Sequence, residues 1–233
     1  MPKLRHGLTA GEKLSETLHE GWRAATGTAL YEAFGMSECS TFISSAPSRP
    51  ASPVSLGFAQ KGRRIAILGP TGPVPLGEEG TIAIHRSDPG LMLGYLGDET
   101  ATAERMQGDW LLTGDQATMD ATGAITFLGR RDDMMNAGGF RVSPMEVEAA
   151  RIDHPGITQI AVTDIEVKQD AHVIMAFYTG PAEIDAKNLE SFARTRLAGY
   201  KCPRAFYFVQ DLPTGSNGKL LRRALRPIYE SLS

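Results

Sequence analysis

Four short stretches hold residues that could meet a phosphate, a sugar or a metal ion. PTGSNGKLLRR, residues 213–223, has two glycines, a lysine and an arginine pair. A Walker-type phosphate loop needs four residues between its first glycine and the GK pair, then Ser or Thr for magnesium. Here Gly215 and Gly218 stand too close together and Leu220 follows Lys219, so that loop is excluded. Taken alone, the stretch is a solvated turn, because Gly, Ser and Asn each favour turns for local reasons. TGD, 113–115, follows the apolar pair Leu111–Leu112. An Asp after a strand end could accept hydrogen bonds from a ribose diol; an Asx-type turn accounts for the same residues. FGMSE, 34–38, offers a hydroxyl for phosphate and a carboxylate that can hold Mg²⁺ through water, or is a strand-end turn. GRRDD, 129–133, is a site or a surface ion network, and such networks add little stability. His6, His19, His85, His154 and His172 form no H-x-x-x-H or H-E-x-x-H arrangement and take no role, and there is no G-x-S-x-G elbow.

The elements that must position these groups are read from the whole chain. Its 233 residues suffice for one large domain or two small ones. Hydrophobic content of 42% and charged content of 22% are ordinary for a globular protein. A net charge of −3 argues against a general nucleic-acid binder. Cys39 and Cys202 lie far apart, with no CxxC pair and no zinc spacing, and read as reduced thiols. MPKLRHGLTAGEKL has no apolar core of signal-peptide length, and no stretch approaches the roughly 18 apolar residues of a membrane span. The expectation is a cytoplasmic protein without a membrane span.

Leu14, Leu18, Trp22 and Ala25 at helical spacing predict a helix over 14–26, stopped at Gly27. Residues 44–53 are Pro/Ser-rich and read as a loop. RIAIL (64–68), GTIAI (80–84) and AITFL (124–128) are strand-like, with Gly/Pro turns between them. DATG (120–123) reads as a tight hairpin turn, and DETATAERM as a helix capped by Asp98. Residues 54–128 are thus expected to form a small β-rich subdomain. GRRDDMMNAGGFRV shows no strong periodicity. After it, Ser143 as N-cap, Pro144 at the first helical position and Glu146 completing a capping box predict a helix start. Strands ITQIAVTD and AHVIMAFY, a helix around 186–198 ending at Gly199, strand AFYFV and a last helix follow. Leu221, Leu225, Ile228 and Leu232 line that helix at 4-3-4 spacing, and Pro227 should kink or shorten it. This is an α+β unit, with the boundary placed near Gly129–Asp132.

The order of the stretches is more specific than any one of them. TAGE, YEAFGMSE, GY with an acidic-Thr helix, WLLTGD, GRRDDMMNAGGFRVSPMEVE, RLAGYKCPR and LPTGSNGKLLRR follow one another along nearly the whole chain. This order resembles the adenylate-forming acyl-CoA synthetase (AMP-binding, acyl/aryl-CoA ligase) superfamily, in its C-terminal portion. The resemblance implies an α+β fold. A β-rich, distorted barrel-like subdomain of the large adenylation domain (1–129) would precede a small mobile α+β lid (130–233). It implies a ligase that uses ATP to make an acyl-adenylate and passes the acyl group to CoA. Gly11 and Glu12 would lie against the adenine, with Glu32, Ala33, Phe34, Gly35 and Met36 beside it. Ser37 replaces the commoner Thr and would give its hydroxyl to the α-phosphate, while Glu38 would partner Mg²⁺. Asp115 would accept the ribose hydroxyls and Arg130 would donate to them. Asp132 matches the hinge residue, and Gly138–Gly139 the loop along the pantetheine tunnel, with Arg141 a candidate phosphate contact. Lys219 matches the lysine that bridges carboxylate and α-phosphate. An ammonium about 4 Å from a developing charge is worth on the order of 4 kcal/mol at an effective dielectric of 20.

Two departures from the family pattern matter. Thr214–Gly215 stand where the last motif usually carries Lys/Arg-Thr. The Ser/Thr/Gly-rich phosphate loop of the family is not found, so the expectation is a portion of a longer synthetase, inactive alone. Gly35, before Met36, suggests room for an aromatic or medium-chain acyl group. The alternatives are a non-catalytic module that binds nucleotide, CoA or a partner chain, and an adenylation domain that feeds a carrier-protein thiol.

Overall fold

Short alternating apolar runs set the architecture of the first half of the chain. The computed structural model describes residues 3–11, 16–52, 55–152, 154–168, 171–215 and 218–232. The chain divides into two compact units, Met1–Phe127 and Leu128–Ser233. In the first, β1 (Gly7–Ala10), α1 (Glu16–Thr26), β2 (Leu30–Met36), β3 (Ser40–Ser44) and β4 (Gly57–Ala59) lead into β5 (Ile65–Gly69), β6 (Gly72–Pro73) and β7 (Gly80–His85). Then come α2 (Glu99–Glu104), β8 (Met106–Gln107), β9 (Trp110–Met119) and β10 (Ala124–Arg130), which runs across the boundary between units. The strands form one sheet in the order β1-β2-β3-β4-β10-β9-β7-β5-β6, with β8 on β9. The expected β-rich block is therefore not separate from what precedes it: β1, β2 and β3 belong to the same sheet, which the Pro/Ser-rich loop between β3 and β4 had masked.

The turns and caps follow their local chemistry. Gly27 ends α1, its N–H donating to Arg23 O at 2.8 Å. Asp98 caps α2 by accepting from Ala101 N at 2.8 Å. In DATG, Asp120 Oδ1 accepts from Thr122 N and Ala124 N. The core collects Phe42, Ile43, Ile67, Ile82, Ile84, Ala117 and Ile125 around buried Cys39, with Phe34 and Met36 packed against it. It thus begins directly beside the FGMSE stretch.

The second unit holds β11 (Met135–Ala137), β12 (Phe140–Val142), α3 (Pro144–Ile152), β13 (Gln159–Lys168), β14 (Ala171–Thr179), α4 (Ala186–Arg194), β15 (Ala205–Phe208) and α5 (Leu225–Leu232). β13 and β14 pair antiparallel and β15 joins β14 in parallel. Strand alternation splits this sheet between two cores. Ile160, Val162, Ile174, Ala176 and Tyr178 pack with Val147 of α3 and Leu189 of α4. Ala161, Ile165, Met175 and Phe177 pack with Leu225 of α5. No helix among the described residues is long and apolar enough to cross a membrane.

Several expectations change here. Residues 135–142 are an ordered hairpin, invisible to periodicity because each strand has three residues. α4 ends at Arg194, and Gly199 instead opens a 3-10 turn, Gly199–Lys201. Pro227 sits in the first turn of α5, where its missing N–H costs no helical bond. Ser143 does cap α3, accepting from Glu146 N at 3.3 Å. The Glu146 carboxylate, however, is taken by Lys201 Nζ at 2.5 and 2.7 Å.

Candidate functional site

The parallel pairing of β1 with β2 sets Thr9 beside Glu32 and Ala10 beside Ala33. Gly11 therefore leaves β1 next to the strand that carries Glu32 to Met36. Glu32 is held from α1 by His19, Nε2 to Oε1 at 2.9 Å. Glu12 lies outside the described residues. At the end of β2 the chain turns tightly, Cys39 N donating to Met36 O at 3.2 Å, and re-enters the sheet as β3. Ser37 is exposed on this turn and Glu38 is half-buried. Glu38 is oriented from a distant segment: Tyr95 OH donates to its Oε1 at 2.7 Å, and Met92 N donates to its backbone O at 2.7 Å. The hydrogen bond to Glu38, with burial second, pushes the Tyr95 hydroxyl above the usual phenol value. Nothing local in the GY pair links Tyr95 to a residue 57 positions away, so spacing gives it no role.

A buried ion pair holds the turn from beneath. Arg63 Nη1 donates to Asp88 Oδ1 at 2.7 Å, and Arg63 Nη2 donates to Thr41 O at 2.6 Å and Cys39 O at 3.1 Å. Asp88 also accepts from Arg64 N and Gly90 N. Its side chain is fully buried. Burial pushes the Asp88 carboxyl up, but the Arg64 and Gly90 N–H groups and Arg63 outweigh it and hold it below the usual value. The Cys39 thiol beside it is pushed up to about 11, by burial first and the Asp88 charge second. No sequence motif marks Arg63 or Asp88.

Gly35 is bare for a backbone reason. A Cβ there would lie 2.2 Å from Ser40 O and 2.6 Å from Thr41 Cα. The β2–β3 register shift at Phe34/Gly35 brings β3 into that space. Strand approach is by itself a reason for glycine at this position.

Asp115 is corrected in a different way. It does not follow a strand end but lies inside β9, buried, two residues past Thr113, whose Oγ1 accepts its N–H at 3.1 Å. The β7–β9 ladder shifts register between Thr81 and Ala83, opposite this segment. Such a bulge re-aims a side chain without ending the strand, which a TGD reading cannot foresee.

In the second unit Arg130 closes β10 and is exposed, and Asp132 lies in a 3-10 turn, Arg131–Asp133. Gly138 and Gly139, with φ of +56° and +83°, form the two-residue turn of the β11–β12 hairpin. Two successive positive φ values suit glycine. Arg141 Nη2 donates to Arg131 O at 3.3 Å, tying hairpin to turn. Lys219 is exposed on a small hairpin of its own: Gly215 N donates to Lys219 O at 2.7 Å and Leu221 N to Pro213 O at 2.8 Å. The structure thus gathers Gly11 and Glu32–Glu38 locally in the first unit, and 130–141 locally in the second. Among the described residues, no group of three or more His, Cys, Asp or Glu is placed to hold a metal ion. The single Glu38 carboxylate suits Mg²⁺, which takes one or two carboxylates and completes its shell with phosphate and water.

Comparison with known proteins adds the following. Residues 1–96 match the family model for AMP-binding enzymes, and residues 146–219 the one for the AMP-binding enzyme C-terminal domain. The chain is 34% identical over 234 residues to the human mitochondrial acyl-coenzyme A synthetase ACSM4, covering 96% of this chain. It is 36% identical to the human mitochondrial acyl-coenzyme A synthetase ACSM5 over the same share. In both cases it spans 40% of the relative's length. Among solved structures it resembles the anthranilate CoA ligase AuaEII in complex with anthranoyl-AMP, with a TM-score of 0.83 at 32% identity over 98% of this chain and 44% of that one. It also resembles the O-succinylbenzoate coenzyme A synthetase of Bacillus subtilis in complex with ATP and magnesium ion. There the TM-score is 0.83 at 29% identity, over 95% of this chain and 46% of that one.

Proposed function

Because the chain belongs to the AMP-binding enzyme family, we propose that it supplies part of an ATP-dependent acid–CoA ligase. The reaction joins a carboxylic acid to AMP and then to the thiol of CoA. The observation that carries this reading is the turn at the end of β2. It exposes a hydroxyl, Ser37, beside a carboxylate, Glu38, that Tyr95 holds in place. A hydroxyl there can donate to an α-phosphate oxygen. A fixed carboxylate can hold Mg²⁺ against the phosphates, the metal supplying charge neutralisation when bound. Gly11 and the strand Glu32–Met36 would flank the adenine, and Glu12 would join them. Asp115 accepts the ribose hydroxyls and Arg130 donates to them. Asp132 is the hinge, Gly138, Gly139 and Arg141 line the path of CoA, and Lys219 meets the carboxylate and α-phosphate as a point charge. The chain on its own, lacking a Ser/Thr/Gly-rich phosphate loop in its sequence, does not complete the reaction. Two free cysteines support a cytoplasmic setting.

The test is acid-dependent ATP–pyrophosphate exchange, run on the 233-residue chain and on the full open reading frame that encodes it, with a panel of carboxylic acids. We expect exchange only when a phosphate loop is encoded. Lys219→Ala should lower that exchange about 10²–10³-fold, the usual cost of losing one transition-state contact. Robust exchange by the 233-residue chain would overturn the inactivity. An open reading frame with a phosphate loop and no exchange on any acid would overturn the ligase reading.

A further inference from the structure

Lys219 is exposed on a hairpin whose ladder is too short to hold itself. Among the described residues its cross-strand pairing includes the Thr214–Leu220 bridge and the bonds Gly215 N to Lys219 O and Leu221 N to Pro213 O, with Gly218 N donating to Gly215 O inside the turn. Isolated two-stranded ladders of any length are marginal in water. Something outside the hairpin must keep it in one orientation.

Leu212 and Leu220 pack against the core of Ala161, Ile165 and Phe177. Those contacts hold the hairpin near the sheet but are non-directional. Direction comes from the residue three positions after the lysine. Arg222 Nη1 donates to Glu148 Oε1 at 2.5 Å and to Val162 O at 2.5 Å, and Arg222 Nη2 donates to Glu148 Oε2 at 3.2 Å. Glu148 Oε1 also accepts from Val162 N at 2.9 Å. The guanidinium is thereby bonded to α3 through the Glu148 carboxylate and to β13 through the Val162 carbonyl, while the Val162 N–H fixes the carboxylate from the same residue. The arginine and glutamate side chains are only 12% and 17% exposed, so water competes weakly for these bonds.

We propose that Arg222, clamped by Glu148 and Val162, is a positioning residue that sets the orientation of the Lys219 hairpin; this rests on Lys219 being the adenylating lysine. The chemistry requires arginine specifically. A lysine at 222 keeps the charge but cannot make the planar two-point contact that stops rotation. Burial pushes the Glu148 carboxyl above its usual value, against the pull of Arg222. The pair therefore contributes orientation at some electrostatic cost, and glutamine at 148, which keeps the shape but leaves the Arg222 charge uncompensated, should loosen the clamp and lower stability as well.

The experiment is site-resolved amide hydrogen exchange on the 233-residue chain and its R222K and E148Q variants. Adenylation kinetics of R222K and K219A in the active open reading frame accompany it. We expect the Gly215, Gly218 and Leu221 amides to exchange about tenfold faster in both variants, the scale of one lost charge-assisted hydrogen bond, with the β14 amides and the β13 amides other than Val162 changing less than the hairpin. R222K should lower kcat for adenylation with the KM for ATP unchanged. Hairpin amides that exchange at the wild-type rate, or only in step with the strands, would overturn the clamp. A loosened hairpin with undiminished kcat would overturn its positioning role if K219A is impaired, and the reading of Lys219 if K219A is active.

Discussion

Removing the Arg63 guanidinium should unfold the first unit more readily than almost any surface change. In Arg63→Met, the fully buried Asp88 carboxylate keeps the N–H groups of Arg64 and Gly90 but loses its counter-charge at 2.7 Å. The carbonyls of Cys39 and Thr41 lose a donor as well. Breaking a buried pair by deleting one partner costs about 3–5 kcal/mol, because a charge is left uncompensated. The two remaining N–H bonds place the carboxylate's share at the low end, and the two stranded carbonyls bring the sum back to about 4 kcal/mol. With a urea slope of about 2 kcal/mol/M, the midpoint should fall by about 2 M. Tryptophan fluorescence is the assay, since both tryptophans, Trp22 and Trp110, lie in the first unit. Adding Asp88→Asn to the variant should restore part of the loss, as the uncompensated charge is then gone. The pH dependence has a definite sign. Asp88 is held below the usual carboxylate value in the folded state. Its contribution is therefore present above the unfolded value and is lost as pH falls through the lowered one. A midpoint shift under 0.5 M, or a double variant as weak as the sum of the two single ones, would refute this account.

Other outcomes follow from the same geometry. Cys39, buried and pushed up to about 11, should resist iodoacetamide at pH 8 until urea opens the first unit, while the half-buried Cys202 alkylates in the native chain. Mass spectrometry of tryptic peptides reads this, and equal labelling of both would contradict it. Gly35→Ala should destabilise the first unit by about 1–3 kcal/mol, as overpacking does, since the new methyl meets backbone atoms of β3. If alanine at 35 instead leaves stability intact and narrows acid choice to short chains, the position faces an acyl pocket after all.

What the sequence determined by itself were features satisfied within a few residues. Asp98, Ser143 and DATG announce caps and a turn because their side chains bond N–H groups two to four positions on. The near-continuous apolar runs in ITQIAVTD and AHVIMAFY announce strands, because a sheet with two packed faces needs apolar residues on both. The chain order of YEAFGMSE, WLLTGD, GRRDD and PTGSNGK was enough to indicate an adenylate-forming family. What only the tertiary structure decided were the partners of those motifs. Tyr95 reaches Glu38 across 57 positions, Arg63 reaches Asp88 across 25, and Arg222 reaches Glu148 across 74. Asp115 proved to lie within a strand because a register shift in the neighbouring ladder, not its own residues, sets its setting. Turns and caps depend on covalent neighbours, which spacing records. An ion pair depends on which strands align and at what register, and that is settled by packing of the whole unit.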